Sequence, residues 1–464
     1  MAFLSSETIC ALSTAPGIGG IAVLRISGEN AFEIADKIFS KSISEVESHT
    51  VHFGKIVQKD KSILDEVLVT VLHKGKSFTG ENTVEIACHG SNFIQQEILS
   101  LLIHSGCRLA NPGEFTMRAF LNGKMDLSQA EAVADLIASE SKKSHELAIN
   151  QMRGKFSNEL RDLREKLINF ASLVELELDF AEEDVEFADR TQLKNLVSEV
   201  VSYIYKLIQS FELGNAIKNG VPVAIVGAPN TGKSTLLNQL LGEERAIVSN
   251  IAGTTRDSIE ETLNIEGILF RLIDTAGIRD GLNESDSDRI EAIGIERSLE
   301  KIKQAKIVLV LSDSNPFHKG ESEVRIFAEQ LKANYSDKKI VLVYNKSDLL
   351  STQNTINNEE LDSILISAKF GKGIEELKSW LVNQIMGNTD FEQSTIVTNS
   401  RHLEALEKAL LSLNLANTGL ETNITGDFIA MDIRQAMYHI GSITGDISTD
   451  DLLGNIFSKF CIGK

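Results

Sequence analysis

The chain has 464 residues, of which 42% are hydrophobic and 24% charged, a balance that excludes disorder along most of its length. The formal net charge of −20 excludes a generally basic nucleic-acid-binding surface, because phosphates are attracted by clusters of Lys and Arg. The four cysteines form no CxxC pair, and no run approaches 18 apolar residues, so neither a disulfide framework nor a membrane span is predicted. We therefore expect a cytoplasmic protein of about three domains.

The first part of the chain, residues 1–120, mixes strand-like and helix-like sequence. Residues 21–26, 67–72 and 83–87 form short apolar runs with the alternation of strands, and residues 93–103 have helical spacing. Glycine-containing turns separate these stretches. This mixture predicts an α+β domain over residues 1–120.

Helical sequence follows. Ser128 and the glutamate three positions later match a capping box, in which two side chains satisfy free donors at the start of a helix. Apolar residues then recur every three or four positions across 149–174, which predicts one long amphipathic helix, and again across 403–413. We predict a helical domain in two parts, residues 121–213 and 387–464.

Between the two helical parts the pattern changes to short apolar strands that alternate with helices. The apolar runs lie at 221–226, 269–273, 307–311 and 340–344. Alternating β and α units predict a doubly wound, mostly parallel sheet. We place this α/β domain at residues 214–386 and interpret it as an insertion, because domains whose termini lie close together tolerate insertion.

The strongest chemical signal follows the first of these strands. Residues 227–235 read Gly-Ala-Pro-Asn-Thr-Gly-Lys-Ser-Thr and fit the phosphate-loop motif G-x-x-x-x-G-K-[ST]. In this motif, backbone N–H groups and a helix N-terminus surround the phosphates. Lys233 is predicted to contact the β- and γ-phosphates and Ser234 to bind Mg²⁺. A chance glycine turn is disfavoured because the motif follows a strand and precedes a helix.

Further segments identify the nucleotide as GTP. Asp274 ends a strand and is expected near Mg²⁺, Gly277 near the γ-phosphate, and Thr255 as a second Mg²⁺ ligand. Asp348 would accept hydrogen bonds from guanine N1–H and the 2-amino group, and the Ser-Ala-Lys segment at 367–369 offers a backbone N–H to the guanine oxygen. The predicted GTP-contacting residues are Asn230, Thr231, Gly232, Lys233, Ser234, Thr235, Ser249, Asn250, Ile251, Ala252, Gly253, Thr254, Thr255, Asp274, Thr275, Ala276, Gly277, Asn345, Lys346, Asp348, Ser367, Ala368 and Lys369.

Two residues near these motifs bear on the hydrolysis step. Ile278 stands where Ras-like GTPases place the glutamine that orients the attacking water, so another group must do this. Arg256 has the look of an arginine finger, but an arginine beside Asp257 is more often a local ion pair. The sequence therefore identifies no finger.

Together with these motifs, three stretches make the chain resemble the MnmE (also called TrmE) family of tRNA modification GTPases. They are the Gly-Thr-Thr-Arg-Asp loop at 253–257, the stretch from 111–116 to 130–132, and the terminal Phe-Cys-Ile-Gly-Lys at 460–464. The resemblance covers essentially the full length. It implies an N-terminal α+β domain that binds folate and dimerises, a discontinuous α-helical domain, and an inserted α/β P-loop G domain with a Ras-like doubly wound sheet.

The resemblance also implies an ion and a catalytic carboxylate in the G domain. Asn230, Ser249, Ile251 and Thr254 match the K⁺ ligands of the family, and the bound K⁺ supplies the charge that an arginine finger would otherwise supply. Ser249 stands where the family has threonine. Glu291 matches the glutamate that orients water through a bridging water, whereas from the residues alone it would be a solvated helix carboxylate.

In the N-terminal domain the resemblance assigns a tetrahydrofolate derivative, 5,10-methylene- or 5-formyl-tetrahydrofolate, to Arg25, Glu85, Lys124 and Lys464. A carboxylate suits the donor-rich pterin edge, and cations suit the glutamate tail. Without the resemblance, Arg25, Glu85 and Lys124 would be read as surface charges. Cys461 is implied as a catalytic thiol near the folate. From the residues alone, a packed structural thiol and a poorly matching prenylation box are alternatives.

The implied function is K⁺-stimulated GTP hydrolysis that, with the flavoprotein MnmG or GidA, adds a carboxymethylaminomethyl-type group to C5 of the tRNA wobble uridine. The implied partners are a second copy of the chain through the N-terminal domain, the flavoprotein in a heterotetramer or larger complex, and tRNA. We expect tRNA to be held mainly by the flavoprotein, because the longest charge run, 175–189, is acidic. The alternative is a GTP-dependent switch in ribosome assembly, although the sequence gives no convincing KH-type RNA-binding module.

Overall fold

The computed structural model describes residues 7–179, 190–228, 230–244, 261–273, 300–312, 321–349, 361–386, 395–422 and 424–463. The chain divides into two compact units. Unit 1 comprises Met1–Ala134, Asn150–Val201 and Lys408–Lys464, and unit 2 comprises Asp135–Ile149 and Ser202–Glu407. In the described ranges, no helix combines the length and hydropathy that crossing a membrane requires.

Unit 1 contains a six-stranded mixed sheet with the strand order β3-β4-β5-β2-β1-β6. Only the β1–β6 pair is parallel. The strands are β1 (Ile9–Leu12), β2 (Ile21–Ser27), β3 (Thr50–Val57), β4 (Ile63–Leu72), β5 (Thr83–His89) and β6 (Arg108–Leu109), and the helices among them and just after them are α1 (Ala31–Asp36), α2 (Asn92–Ser105) and α3 (Glu114–Leu121). The predicted α+β fold of the N-terminal region is confirmed.

The two faces of this sheet are covered differently, as the period-two alternation requires. One face packs against α1 and α2, where Leu24, Ile26 and Ile86 meet Ile98 and Leu102 in a buried core. The opposite face carries a smaller buried cluster at the β1–β6 end, formed by Ile9, Ala11, Ala110 and Phe115. Polar side chains of β2 and β5 lie on this second face, next to the small cluster.

The helical sequence forms α4 (Leu127–Ala138), α5 (Lys142–Met152), α6 (Lys155–Asp179), α7 (Arg190–Asn219), α11 (Ser400–Glu421), α12 (Gly426–Thr444) and α13 (Asp450–Phe457). Within unit 1, α6 packs against α12, so sequence from both sides of the α/β region contributes to one helical layer. Helix α13 packs on α3, where Met117, Leu453 and Phe457 are buried together. The predicted discontinuous helical domain is confirmed.

Helix α4 begins one residue earlier than its predicted cap. Asp126 Oδ1 accepts a hydrogen bond from the Gln129 backbone N–H (2.9 Å), and Gln129 Oε1 accepts one from the Asp126 N–H (2.9 Å). These two residues form the reciprocal capping box. Ser128 is buried inside the first turn, 2.7 Å from Ser157 Oγ. The predicted capping box at Ser128 is therefore wrong, since the aspartate two positions earlier makes the same bonds.

The apolar repeat across 149–174 belongs to two helices rather than one. Gly154 has φ of +83° and donates its N–H to the Gln151 carbonyl oxygen (2.9 Å) between α5 and α6. A left-handed glycine is a common helix end because it has no Cβ to clash. The prediction of one continuous helix is wrong at this residue.

Unit 2 contains a six-stranded sheet with the order β12-β11-β10-β7-β9-β8. All pairs are parallel except β8–β9. Its elements are β7 (Val221–Val226), α8 (Lys233–Glu244), β8 (Glu261–Ile265), β9 (Ile268–Leu272), β10 (Ile307–Ser312), α9 (Glu321–Asn334), β11 (Lys339–Tyr344), β12 (Ser363–Leu365) and α10 (Ile374–Met386). The predicted mostly parallel sheet is confirmed, and the carboxyl ends of its parallel strands share one edge, where α/β folds bind ligands.

Candidate functional site

The phosphate loop joins β7 to α8 at that edge. Gly227 has φ of +156° and lies against the carbonyl oxygen of Leu311 in β10, where a Cβ would overlap it. Gly232 has φ of +97°, and a Cβ there would overlap the side-chain nitrogen of Asn345. Glycine is therefore needed at both positions for this loop to pack against its neighbours. Helix α8 then begins at Lys233, as the motif predicts.

Lys233 points back over the loop. Its Nζ donates hydrogen bonds to the carbonyl oxygens of Gly227 and Ala228, both at 2.8 Å. Burial lowers the pKa of Lys233, and the nearby charge of Lys301 lowers this pKa further. Ser234 is exposed in the first turn of α8, where the helix dipole favours anions. The Lys233 ammonium and the N-terminus of α8 thus both lie at the phosphate loop.

Asn345 connects the phosphate loop to the segments predicted to bind guanine. Its Nδ2 donates to the Thr231 carbonyl oxygen (2.9 Å), and its Oδ1 accepts from the Ala368 N–H (2.9 Å). Lys346 reaches the same loop, with Nζ 3.0 Å from the Asn230 carbonyl oxygen. Asn230 and Lys346 both have left-handed backbones, with φ of +62° and +63°. The three predicted segments are therefore one hydrogen-bonded assembly.

Asp348 presents an exposed carboxylate next to this assembly. Its Oδ1 accepts a hydrogen bond from Ser367 Oγ at 2.6 Å, and this bond is the main cause that lowers the pKa of Asp348. Lys369 lies with Nζ 5.2 Å from the ring centroid of Phe370. An ionised carboxylate accepts hydrogen bonds and cannot donate them, which suits the donor edge of guanine.

In unit 1, Arg25 and Glu85 form an ion pair across neighbouring strands. They are register partners on β2 and β5, with Arg25 Nε 2.9 Å from Glu85 Oε1. Two aromatic rings flank the guanidinium, since Arg25 Cζ lies 5.8 Å from the ring centroid of Phe78 and 5.6 Å from that of Phe115. These rings hold the charge by cation–π attraction.

Lys124 contacts the loop that carries Phe78. Its Nζ donates to the Gly75 carbonyl oxygen (3.0 Å), and Asn122 Nδ2 donates to that of Thr79 (2.7 Å). The residues just after α3 therefore fasten this loop from one side. Lys124 and the Arg25–Glu85 pair are connected through a single loop.

A buried ionic network also holds the loop that carries Phe78. Arg118 lies 3.0 Å from Glu81 on the loop and 3.0 Å from Glu114, which also binds Arg108 at 2.6 Å. Burial alone would raise the pKa of Glu114, but hydrogen bonds from Arg108, the Asn111 N–H and Arg118 outweigh burial and hold this pKa below its usual range. The carboxylate is therefore kept ionised inside the domain.

The segment after α13 also reaches this part of unit 1. The Cys461 carbonyl oxygen accepts from the Gly113 N–H (3.3 Å), and the Gly463 carbonyl oxygen accepts from Ser13 Oγ (3.4 Å). The Cys461 side chain is exposed. The other three cysteines, Cys10, Cys88 and Cys107, are buried.

Two family models match the chain, one described as "GTP-binding protein TrmE N-terminus" over residues 8–124 and one as "MnmE helical domain" over residues 127–461. Proteins named "tRNA modification GTPase MnmE" are similar over the full length. The protein from Cytophaga hutchinsonii is 55% identical over 99% of this chain and 98% of its own length. That from Flavobacterium johnsoniae is 53% identical over 99% and 100%, and that from Bacteroides thetaiotaomicron 49% over 99% and 100%.

The chain belongs to the MnmE family. The family predicted from the sequence is thereby confirmed. The described site residues that the motifs and the resemblance predict fall into two groups, the nucleotide loops of unit 2 and the Arg25 region of unit 1. The other predicted site residues lie outside the described residues: Ser249, Asn250, Ile251, Ala252, Gly253, Thr254, Thr255, Asp274, Thr275, Ala276, Gly277, Glu291 and Lys464.

No pattern in the sequence indicated the contacts that Phe78 and Phe115 make with Arg25, or the ionic network around Arg118. Phe115 directly follows Glu114 in the sequence, but its spacing from other residues does not indicate a contact with Arg25. Across the part of the chain that the structure describes, no group of three or more His, Cys, Asp and Glu side chains could hold a metal.

Proposed function

We propose that the chain is the GTP-hydrolysing component of tRNA wobble-uridine modification. It works with a flavoprotein of the MnmG or GidA type to add a carboxymethylaminomethyl-type group to C5 of the uridine. The observation that carries the proposal is the Asn345 bridge, which joins a phosphate loop to a base-recognition segment in one assembly. The relatives that match over their full length are named tRNA modification GTPases.

Each described nucleotide residue has a role in this proposal. Lys233 and the N-terminus of α8 bind the β- and γ-phosphates, and the Asp348 carboxylate accepts from guanine. The exposed Ser234 hydroxyl at the start of α8 suits Mg²⁺, which prefers oxygen ligands and is shared with substrate phosphates. When bound, Mg²⁺ neutralises charge that develops on the phosphates.

Hydrolysis is proposed to depend on K⁺ and on Glu291. The Asn230 side chain is exposed on the phosphate loop and offers an amide oxygen, a ligand that suits a hard monovalent cation. When bound there, K⁺ supplies positive charge to the transition state. Glu291 orients the attacking water, a role that Ile278 cannot fill.

The Arg25 region is proposed to bind the reduced folate that donates the one-carbon unit. Glu85, held in place by Arg25 at 2.9 Å, accepts hydrogen bonds from the pterin donors, while Lys124 attracts the glutamate carboxylates. The half-buried ring of Phe78, which flanks the guanidinium, suits a planar ligand, while the buried ring of Phe115 holds the guanidinium from the core side. From the carboxy-terminal segment, Cys461 is proposed as a catalytic thiol and Lys464 as a further folate-binding cation.

Dimerisation through the N-terminal domain is supported by an exposed apolar surface on β3 and β4. Val51, Phe53 and Leu68 are 58%, 56% and 48% exposed, and Phe53 and Leu68 are register partners. A contiguous apolar surface on a sheet edge favours association over solvation. A second copy of the chain is the proposed partner at this surface.

Reconstitution tests the function as a whole. This protein, the flavoprotein, wobble-uridine tRNA, methylene-tetrahydrofolate, glycine as the source of the carboxymethylamino part, GTP, Mg²⁺ and K⁺ are combined, and each is omitted in turn. We expect modified uridine, detected after nuclease digestion, only in the complete mixture.

Replacing K⁺ by Na⁺ at matched ionic strength should slow GTP hydrolysis by at least about tenfold, because the positive charge that K⁺ supplies to the transition state is lost. Equal hydrolysis rates in the two salts would contradict the role of K⁺, and full modification without GTP would contradict the role of hydrolysis.

A further inference from the structure

The first turn of α5 touches the turn of the β8–β9 hairpin. Gly267 lies in this two-residue turn, and a Cβ on Gly267 would lie 3.0 Å from Lys143 Cγ and 3.5 Å from the Lys143 backbone nitrogen. The hairpin backbone therefore packs directly against the aliphatic stem of Lys143. Both residues belong to unit 2.

The hairpin turn has a fixed shape at this contact. Glu266 and Gly267 have φ of +50° and +83°, and a two-residue turn with positive φ at both positions matches the twist of the strands that it joins. The Gly267 N–H donates to Asn264 Oδ1 at 3.0 Å. A side chain at position 267 would press on Lys143, so glycine permits the close approach.

Lys143 is held equally firmly on its own side of the contact. Two buried serines start α5 with reciprocal hydrogen bonds, from the Ser144 N–H to Ser141 Oγ (3.2 Å) and from the Ser141 N–H to Ser144 Oγ (3.1 Å). Lys143 Nζ lies 3.4 Å from Met386 Sδ at the end of α10. One turn further along the same face of α5, Leu147 is buried in a cluster with the end of α7.

The hairpin connects this contact to the predicted Mg²⁺ site. Strand β9 starts after the turn and runs parallel to β7, where Leu272 is the register partner of Val223. Ile273 then donates its N–H to the Val223 carbonyl oxygen at 3.0 Å, and Asp274 follows directly in the sequence. Five strand residues rise about 17 Å. One short, paired strand thus joins the turn against Lys143 to the residue before Asp274.

We infer that Lys143 and Gly267 are positioning residues for Mg²⁺-dependent GTP binding. Their contact fixes where the β8–β9 hairpin lies along the sheet, and the hairpin places Asp274 for Mg²⁺. This inference rests on the proposed function in GTP hydrolysis. It adds that part of what sets the Mg²⁺ response lies in α5, outside the residues 214–386 predicted as the G domain.

Lys143→Ala tests the positioning role because it removes the stem that the turn packs against. The affinity of the full-length protein for a fluorescent, non-hydrolysable GTP analogue is measured with Mg²⁺ and with EDTA, and the ratio of the two affinities is the Mg²⁺ contribution. We expect this ratio to fall about fivefold or more in Lys143→Ala. The affinity in EDTA should stay within about twofold, because the Asn345 and Asp348 segments are separate from α5. General destabilisation would instead weaken binding in both conditions.

Two further variants separate the stem contact from the charge of α5. Lys142→Ala is the matched control, because Lys142 is the neighbouring lysine and its side chain is 84% exposed, 3.8 Å from Glu146. It should leave the Mg²⁺ ratio unchanged. Lys143→Met keeps an unbranched stem without the ammonium, so its ratio should lie within about twofold of the wild type.

Amide exchange gives a readout that is independent of affinity. The His145 N–H donates to the Ser141 carbonyl oxygen at 3.0 Å in the first turn of α5. Coupling between two sites is reciprocal, so adding Mg²⁺ to the analogue-bound protein should slow exchange of this amide at least about twofold. The same slowing is expected in Lys142→Ala, and none in Lys143→Ala.

The outcomes separate the inference from the function on which it rests. Absence of analogue binding by the wild-type protein would overturn the proposed GTP function. Normal binding with the same Mg²⁺ ratio in the wild type and Lys143→Ala would overturn the positioning role alone, as would an equal loss in Lys142→Ala. If Lys143→Met behaved like Lys143→Ala, packing of the stem against Gly267 would be overturned as the cause.

Discussion

Asn345 serves two loops with one side chain. Its amide nitrogen bonds a residue 114 positions away and its amide oxygen bonds one 23 positions away. The side chain is 6% exposed, so both bonds are shielded from water. Aspartate would lose the donor and leave the Thr231 carbonyl oxygen without it, which explains why this position requires an amide.

Asp348→Asn tests guanine recognition. The substitution replaces two acceptors by one acceptor and one donor, so we expect GTP affinity to fall about 10- to 100-fold and xanthosine triphosphate to bind better than GTP. Fluorescent nucleotide titration measures both affinities. Asp337→Asn, at another exposed carboxylate of unit 2, should leave them unchanged. Unaltered GTP preference in Asp348→Asn would place guanine recognition elsewhere.

Glu114 links stability to pH. Its pKa is held below the ordinary value in the folded protein, so its contribution to stability is complete above about pH 4.3, the unfolded value, and is lost as the pH falls through the folded pKa. We expect Glu114→Gln to lower stability at pH 7 by about 3–5 kcal/mol, because buried Arg118 loses a charged partner. The loss should shrink as the pH falls below about 4.3.

Thermal unfolding between pH 3 and pH 8 measures this effect. Glu33→Gln is the matched control, because Glu33 pairs with Lys37 at an exposed helix position. Its effect should stay within about 0.5 kcal/mol at every pH. Parallel pH profiles for the wild type and Glu114→Gln would contradict the account of Glu114.

At the residue scale, the sequence predicts chemistry better than contacts. Lys233 and Asp348 follow from motifs because each motif fixes both residue type and spacing. The pairing of Arg25 with Glu85 across 60 residues depends on strand register, and the approach of Phe115 to Arg25 depends on how α3 packs. Neither register nor helix packing has a local sequence signal. The resemblance therefore named Arg25 and Glu85 without predicting their pairing, and nothing in the sequence indicated the contact with Phe115.

At the scale of elements, one glycine and one aspartate decide the helical boundaries. The apolar repeat across 149–174 keeps its helical period on both sides of Gly154, so periodicity alone predicted one helix. The backbone at Gly154 ends α5, and no apolar pattern records that event. The β8–β9 hairpin was missed for a related reason, since its Glu266-Gly267 turn lacks the Asn or Asp that commonly marks such turns.

Asp126→Ala tests the cap of α4. It removes the capping box and the 2.6 Å ion pair with Arg161, so we expect a loss of about 1–2 kcal/mol, most of it from the cap. Asp126→Asn keeps a good cap and loses the charge, so its cost should stay below about 1 kcal/mol. Urea titration followed by helical circular dichroism compares the two. Equal losses would show that the ion pair, rather than the cap, stabilises this helix start.

At the scale of the whole molecule, the charge of −20 limits how the chain meets tRNA. Binding to phosphates requires clusters of cations, and it weakens steeply as salt rises. We expect this protein alone to bind tRNA weakly at near-physiological salt, with most phosphate contacts made by the flavoprotein. Titration of labelled tRNA with each protein and with both compares the three cases. Tight, salt-sensitive binding by this protein alone would contradict the prediction.

The order of the domains could be predicted from the sequence because strands and helices have different hydrophobic periods, whereas the domain boundaries remain predictions. The two compact units divide the chain within α4, α5, α7 and α11 rather than between elements. Helical periodicity continues through such a division without interruption. The whole-molecule plan is therefore visible in composition and pattern, and its borders depend on packing.

The contact between Ser13 and Gly463 joins residues 450 positions apart. At a synthesis rate of about 5–20 residues per second, a ribosome needs roughly 20–90 s to make the chain between them. During that interval Ser13, just after β1, lacks its hydrogen bond to Gly463, although the strands that pair with β1 have already been synthesised. A chain that stopped before residue 463 would contain the sequence of all six strands of the N-terminal sheet, yet it would lack the hydrogen bond to Ser13. Completion of this corner of the N-terminal domain therefore requires synthesis of the chain as far as Gly463.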